Sequence, residues 1–214
     1  MNSLMDQLLV LVMLLNFLGL GTSRMQVAIR TVAFQGVILG LLPGLAHTFS
    51  WHLGMITLGI ILAKGVLIPW LLFRAMRRVE IREAVEPFLS YSATLLLAAV
   101  ATALAFVFAA KLPLAPQHQG LLFVPAAIAT IITGFLVLTT RKKAITQVIG
   151  YLILENGIFI FGLLLSQAMP VMVEAGVLLD LIVGIFVMGI IINQISREFS
   201  SIDTSRLTAL REER

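Results

Sequence analysis

Three ionisable residues lie inside long apolar runs of the sequence: Lys64, Glu155 and Asp180. A charged side chain at the centre of a bilayer costs about 2.5–3.5 kcal/mol on insertion scales, so each residue requires a partner, a bound proton or a water-filled cavity. Ionisable groups at such positions mark ion paths and proton relays in membrane proteins. We therefore interpret these three residues as candidates for proton translocation or its coupling.

The two carboxyl groups are predicted to lie near the middle of the membrane. Glu155 follows Lys143 by 12 residues, and Asp180 follows Pro170 by 10, which correspond to about 18 Å and 15 Å along ideal helices. Two carboxylates in one dry region cannot both ionise cheaply, because desolvation and mutual repulsion favour a protonated form. The alternative is that each stays protonated and hydrogen-bonds a neighbouring helix as a structural contact.

A stripe of polar residues leads to Glu155. Gln147, Tyr151 and Glu155 recur every four residues and so share one helix face, with Asn156 beside them. This pattern is typical either of half of a proton path or of a polar packing seam. Both interpretations are open from the sequence.

Lys64 lies close to a predicted irregularity of its helix. Pro69 has no N–H for the Gly65 carbonyl and clashes with it, which predicts a kink and exposed backbone polarity beside the lysine. A nearby carboxylate would favour the charged lysine, so such a pair could respond to proton occupancy. The alternative is that the Lys64 stem reaches toward the membrane surface.

Other polar residues in the apolar runs are predicted to serve packing or the interface, among them Asn16 and Gln35. Gly36, Gly40 and Gly44 recur every four residues, and this small-residue face predicts close contact with another helix.

The composition places these residues in a polytopic membrane protein. Of 214 residues, 59% are hydrophobic and only 12% are charged, whereas soluble domains carry about 25% charged residues. No cysteine is present, which excludes thiolate metal sites, iron–sulfur clusters and thiol nucleophiles from this chain. With no zinc spacing, phosphate loop or nucleophile motif either, we expect no catalytic residue, metal or cofactor here.

The predicted fold is all-α, with seven transmembrane helices at about 4–21, 31–47, 51–73, 88–110, 121–140, 144–166 and 171–195. The loop near residue 115 divides an amino-terminal four-helix part, residues 1–110, from a carboxyl-terminal three-helix part, residues 121–195. Residues 196–214 form a tail.

The basic residues follow the predicted topology. Thirteen of the fifteen lie on alternate connections or in the tail, including Arg24, Arg30 and Arg141. The positive-inside bias then predicts an outer amino terminus and a cytoplasmic carboxyl terminus. The net charge of +4 is thus explained by orientation in the membrane and does not indicate a nucleic-acid partner.

The sequence resembles hydrogenase-4 component E, a membrane subunit of formate-hydrogenlyase-type, group 4 nickel–iron hydrogenase complexes. The resemblance rests on residues 141–157 (RKKAITQVIGYLILENG), 173–180 (VEAGVLLD) and 202–210 (IDTSRLTAL), and it extends to Lys64 and Pro69 in the third helix. It covers nearly the whole chain.

The last three predicted helices are also similar to subunit K of respiratory complex I and to the C component of Mrp-type cation/proton antiporters. In that resemblance Asp180 takes the place of a membrane glutamate on the last helix. Glu155 falls one helical turn later than the complex I glutamate, which keeps the helix face but changes the depth in the membrane.

The resemblance implies a non-catalytic subunit of an energy-converting redox complex in the cytoplasmic (inner) membrane. Its partners would be antiporter-like subunits and a quinone- or hydrogenase-linked membrane subunit, and the nickel–iron and iron–sulfur centres would belong to partner subunits. The alternative is a purely structural role, in which the chain anchors the redox arm, the subunits that hold those centres, to the membrane. A stand-alone small-solute transporter is disfavoured because we find no internal repeat.

Overall fold

The computed structural model describes residues 2–46, 51–78, 88–113, 122–141 and 143–165, together with Gly184 and Gly189. These residues are helical, with short turns and no β-strand among them. The helices in chain order are α1 (Asn2–Gly21), α2 (Met25–Ala46), α3 (Trp51–Ile60), a π-helical segment (Ile61–Leu67), α4 (Ile68–Arg78), α5 (Tyr91–Ala110), α6 (Phe123–Thr140) and α7 (Ala144–Leu165).

Six stretches of the described chain are long and apolar enough to cross a membrane: Ser3–Gly21, Met25–Leu45, Thr57–Arg74, Tyr91–Ala110, Phe123–Thr140 and Ile145–Leu165. The third stretch runs through α3, the π-helical segment and α4. The predicted seventh span at 171–195 lies outside the described residues apart from the two single glycines, and the tail at 196–214 lies wholly outside them. Seven spans, the orientation of the termini and the division at residue 115 therefore stay predictions.

The largest differences from the predicted helix starts are at α2 and α5. Helix α2 begins at Met25 rather than 31, because the Arg24 carbonyl already accepts hydrogen bonds from the N–H groups of Val27 and Ala28. Helix α5 begins at Tyr91 rather than 88, because the Ser90 hydroxyl accepts from an N–H of the first turn and caps the helix.

The helix is irregular before Pro69, where the sequence predicts a kink. Residues Ile61–Leu67 are π-helical, and the Ile68 N–H donates to the Ala63 carbonyl, five residues earlier. The helix then resumes as α4 with Pro69 in its first turn, where the missing N–H costs least. A π-helical stretch within an α-helix is rare and frequently lies at a functional site.

Helices α1 and α6 run parallel and are joined at both ends by polar contacts. The Asp6 Oδ1 accepts from the Leu122 N–H at 3.0 Å, next to the start of α6. The Arg141 Nη2 donates to the Leu20 carbonyl at 2.7 Å, at the end of α1. A carboxylate at a helix N-terminus and a guanidinium at a C-terminus both interact favourably with the helix dipoles.

Arg141 joins further helices at this end of the bundle. Its side chain is only 2% exposed, its guanidinium lies 4.6 Å from the centre of the Tyr91 ring, and its carbonyl accepts from Gln147 Nε2 at 3.1 Å. Burial lowers the pKa of Arg141, but arginine stays charged at neutral pH because its ordinary pKa is so high. The guanidinium thus links the end of α6 to α1 and α5, and the backbone carbonyl links it to α7.

Glycines bring α6 and α7 into backbone contact. A Cβ atom added to Gly150 would lie 2.5 Å from the Leu138 nitrogen, and one added to Gly157 would lie 2.6 Å from the Ile131 nitrogen. Contacts this short leave no room for a side chain, so the two helices can approach this closely only with glycine there.

We predict that Gly150→Ala destabilises the α6–α7 contact. Because the added methyl group meets backbone rather than a flexible side chain, the helices must separate, at a cost of about 1–3 kcal/mol. The matched control is Gly59→Ala, since a Cβ atom at Gly59 has nothing within 4 Å. The thermal midpoint in detergent should fall for Gly150→Ala and stay level or rise for Gly59→Ala, and equal effects would contradict this packing.

We also predict that Arg141→Lys destabilises the bundle, because an ammonium group loses the planar stacking on Tyr91. The exposed Arg24 supplies the control Arg24→Lys. Only the Arg141 variant should melt at a lower temperature in detergent. An unchanged midpoint would show that any cation suffices at this position.

Candidate functional site

A buried ion pair joins two of the three predicted site residues. The Lys64 Nζ lies 2.7 Å from the Glu155 Oε1, and the two side chains are only 8% and 3% exposed. The pair links the π-helical segment to α7. The alternative in which Lys64 reaches the membrane surface is therefore wrong, because its charged end points to the interior of the bundle.

The glycines of α2 allow the π-helical segment to approach. A Cβ atom at Gly36 would lie 2.7 Å from the Lys64 Cβ, and one at Gly40 would lie 2.5 Å from the Ile61 Cγ1. Gly44 also faces this helix, 4.0 Å from the Thr57 hydroxyl by the same measure. The predicted small-residue contact face is confirmed, and it lets the segment that carries Lys64 pack closely against α2.

Two further groups border the ion pair. The Lys64 Nζ lies 5.5 Å from the centre of the Phe159 ring, one helical turn after Glu155, where a cation is attracted to the ring face. On the carboxylate side, a Cβ atom at Gly184 would lie 3.8 Å from the Glu155 Oε2 and 4.0 Å from the Ile68 Cδ1. The predicted last span therefore contributes at least this residue to the surroundings of Glu155.

A series of hydrogen bonds leads away from Lys64 across the bundle. The Lys64 Nζ donates to the Asn156 Oδ1 at 3.5 Å, and the Asn156 Nδ2 donates to the Gln35 Oε1 at 3.5 Å. The Gln35 Nε2 donates to the Asn16 Oδ1 at 2.8 Å, and the Asn16 Nδ2 donates to the Thr130 hydroxyl at 2.8 Å. We call Asn156, Gln35, Asn16 and Thr130 the polar series.

One member of this series corrects the sequence interpretation. Gln35 is predicted at the interface, yet it is 0% exposed, whereas Asn16, at 2% exposed, takes the packing role among its two predicted alternatives. Uncharged amides in a span cost far less than charges and so give a weaker signal. The signal available is that both residues lie well inside long apolar runs, where side-chain amides seek partners on other helices.

The remaining predicted residues are distributed along α7 and α4. Gln147 hydrogen-bonds the Arg141 carbonyl, Tyr151 is half-buried against the apolar core, and Pro69 is buried at the start of α4. Their roles in a proton path stay predictions. Asp180 lies outside the described residues.

No metal site emerges among the described side chains, where no three His, Cys, Asp or Glu residues come together. What the described arrangement can do is hold one negative and one positive charge in contact within an apolar interior. Such a pair changes its interactions whenever a proton is added to the carboxylate.

Comparison with known proteins identifies the family. Over 152 residues the chain is 30% identical to hydrogenase-4 component E of Escherichia coli K12, in an alignment that covers 70% of this chain and 69% of that protein. The chain belongs to the hydrogenase-4 component E family. The component E protein of Shigella flexneri matches to the same extent, so the family prediction is confirmed.

A second relative is similar over a longer range. An uncharacterized protein of Mycobacterium tuberculosis is 34% identical over 190 residues, which are 86% of this component E family member and 85% of that protein. No protein-family profile matches the chain, and no solved structure matches it. The similarity to complex I subunit K stays a prediction.

We predict that Glu155→Leu destabilises this family member and that Lys64→Met restores stability in the double variant. Removing one partner of a buried pair costs about 3–5 kcal/mol because the other charge is left uncompensated, whereas an apolar replacement of both is often neutral. Thermal midpoints in detergent measure the three variants. A double variant less stable than Glu155→Leu alone would contradict the assignment of the pair.

Proposed function

We propose that the chain is a non-catalytic membrane subunit of a hydrogenase complex that couples redox chemistry to proton translocation. Membership of the component E family supports the first part of this proposal. The buried Lys64–Glu155 pair supports the second and is the observation that carries it.

The argument for coupling starts from the energetics of the pair. A buried ion pair is generally no more stabilising than well-packed apolar side chains of similar volume. Stability alone therefore gives little reason to place a lysine and a glutamate inside an apolar bundle. Proton exchange would explain the pair, because Glu155 loses its negative charge when it takes up a proton. Each protonation of Glu155 then changes the electrostatic field at Lys64.

The scale of this effect suits energy conversion. Moving one elementary charge across 100 mV involves about 2.3 kcal/mol, which is comparable to the cost of leaving one member of a buried pair uncompensated. A few protonation changes in the right order would therefore suffice to couple modest redox energy to proton movement.

Asp180 is the proposed next carboxyl group. In the predicted helix 171–195, Asp180 precedes Gly184 by four residues and shares its face. Because Gly184 lies beside the Glu155 carboxylate, we propose that a proton released by Glu155 passes toward Asp180. Lys64 then responds to the change of charge.

The proposed partners follow from the family. Electrons would be carried by nickel–iron and iron–sulfur centres in partner subunits, since this chain has no cysteine. In a formate-hydrogenlyase-type, complex I-like assembly of the cytoplasmic membrane, this subunit would lie between a quinone- or hydrogenase-linked subunit and antiporter-like subunits.

A structural anchor is the second candidate function, and the contacts of α1 favour it. Asp6 and Arg141 show that polar side chains of this chain secure helix ends. In that case the Lys64–Glu155 pair would only hold α7 against the π-helical segment, and substitutions there would lower the amount of complex without changing its coupling.

The deciding experiment is Glu155→Gln in the purified complex reconstituted into vesicles. Glutamine keeps an acceptor for Lys64 but takes up no proton, so we expect the complex to assemble and the number of protons moved per electron to fall. Asp6→Asn is the matched control, because Asp6 is a carboxylate that accepts from the Leu122 N–H and lies outside the ion pair.

An unchanged proton-to-electron ratio in Glu155→Gln would refute the coupling role, and a lower yield with an unchanged ratio would establish the anchor. Mild-detergent purification with identification of every co-purifying chain tests the assembly itself. The large nickel–iron subunit should be among those chains.

A further inference from the structure

We infer that the polar series is a positioning device that keeps Lys64 charged and in place while Glu155 gains and loses a proton. Its four residues, Asn156, Gln35, Asn16 and Thr130, lie on α7, α2, α1 and α6. The inference deepens the proposed function and rests on it for the exchange of protons at Glu155.

All the hydrogen bonds of the series point the same way. From Lys64 onward, each group donates to the next one and accepts from the previous one. Every amide in the series therefore turns its carbonyl oxygen toward Lys64 and its NH₂ group away from it. A series with mixed directions would not have this common polarity.

The Lys64 end and the centre of the series determine this direction. An ammonium group can only donate, so Asn156 must present its oxygen to Lys64. At the centre, the Gln35 Nε2 also donates to the backbone carbonyl of Val12 at 3.4 Å. Because a carbonyl can only accept, the Gln35 oxygen is directed to Asn156.

The common direction has an electrostatic consequence at Lys64. Amide dipoles with their negative ends toward a cation stabilise its charge, and hydrogen bonds in a chain strengthen one another in an interior of low dielectric constant. The series therefore presents the negative end of its amide dipoles to the buried Lys64 ammonium group.

Lys64 also has two acceptors on consecutive residues of α7. The Glu155 carboxylate lies 2.7 Å from the Nζ, and the Asn156 oxygen lies 3.5 Å from it. When Glu155 takes up a proton, the ammonium group retains Asn156, which is itself held by Gln35. The charge of Lys64 then stays constant, and Glu155 is the group of the pair that changes protonation.

A double-mutant cycle with the last member of the series tests this inference. Thr130→Val keeps the shape of the side chain but removes the acceptor for Asn16, and it is made with Lys64 present and in a Lys64→Met background. We expect a thermal midpoint lower by about 2–4 °C with Lys64 present and a much smaller shift with methionine. The midpoint is followed on the tagged chain within the purified complex.

The control is Thr139→Val on the same helix, because the Thr139 hydroxyl is exposed and donates only to carbonyls of its own helix among its described contacts. Thr139→Val should shift the thermal midpoint equally in the chain with Lys64 and in the Lys64→Met background. If Thr130→Val also has equal effects in both backgrounds, Thr130 is a packing residue and the inference is overturned.

A spectroscopic measurement separates positioning from packing at the centre of the series. In Gln35→Leu at neutral pH, a less stabilised ammonium should pass its proton to Glu155, so the infrared band of a protonated carboxyl group should grow. The band is assigned by its loss in Glu155→Gln. The control is Gln26→Leu, a partly exposed glutamine in the first turn of α2.

No growth of the band in Gln35→Leu would contradict the inference. If that variant does not accumulate, Thr130→Val is measured in the same way with the same expectation. The double-mutant cycle and the infrared carboxyl band both depend on the charge at Lys64, and neither requires the complex to move protons. Failure of the proposed function would instead appear as an unchanged proton-to-electron ratio in Glu155→Gln.

Discussion

The contact between Lys64 and Glu155 is the constraint on which the described structure depends. Two opposite charges inside an apolar bundle are tolerable only in direct contact and with further polar groups around them. Gly36 and Gly40 let the π-helical segment approach α2 closely, and the glycines of α6 and α7 determine where Glu155 lies. Small residues therefore decide the position of the charged ones.

The widened turn before Pro69 connects backbone geometry to this contact. A proline cannot donate a hydrogen bond, and the preceding π-helical stretch pairs its groups at a spacing of five residues, as Ile68 and Ala63 show. Lys64 lies in the middle of this stretch. An irregular helix and a buried charge thus occur together, as they do in many membrane proteins that move ions.

Much of this arrangement could be predicted from the sequence, because lipid tolerates so few charges. Lys64 and Glu155 stand out by their residue type alone, and the glycine face of α2 by its spacing. The direct contact between the two charges could not be derived, since it depends on how α7 packs against the π-helical segment. The hydrogen bonds that join Asn16 and Gln35 could not be derived either, because the position of an amide inside an apolar run indicates a partner on another helix but not which one.

The contacts of α1 have a consequence for the order in which the bundle assembles during synthesis. Asp6, Asn16 and Leu20 of α1 are bound by Leu122, Thr130 and Arg141, which lie between 114 and 121 residues later in the chain. Proteins emerge from the ribosome amino terminus first. Helix α1 can therefore pair with α2 through Gln35 as soon as both are in the bilayer, whereas the contacts at its two ends form only after α6 has been synthesised.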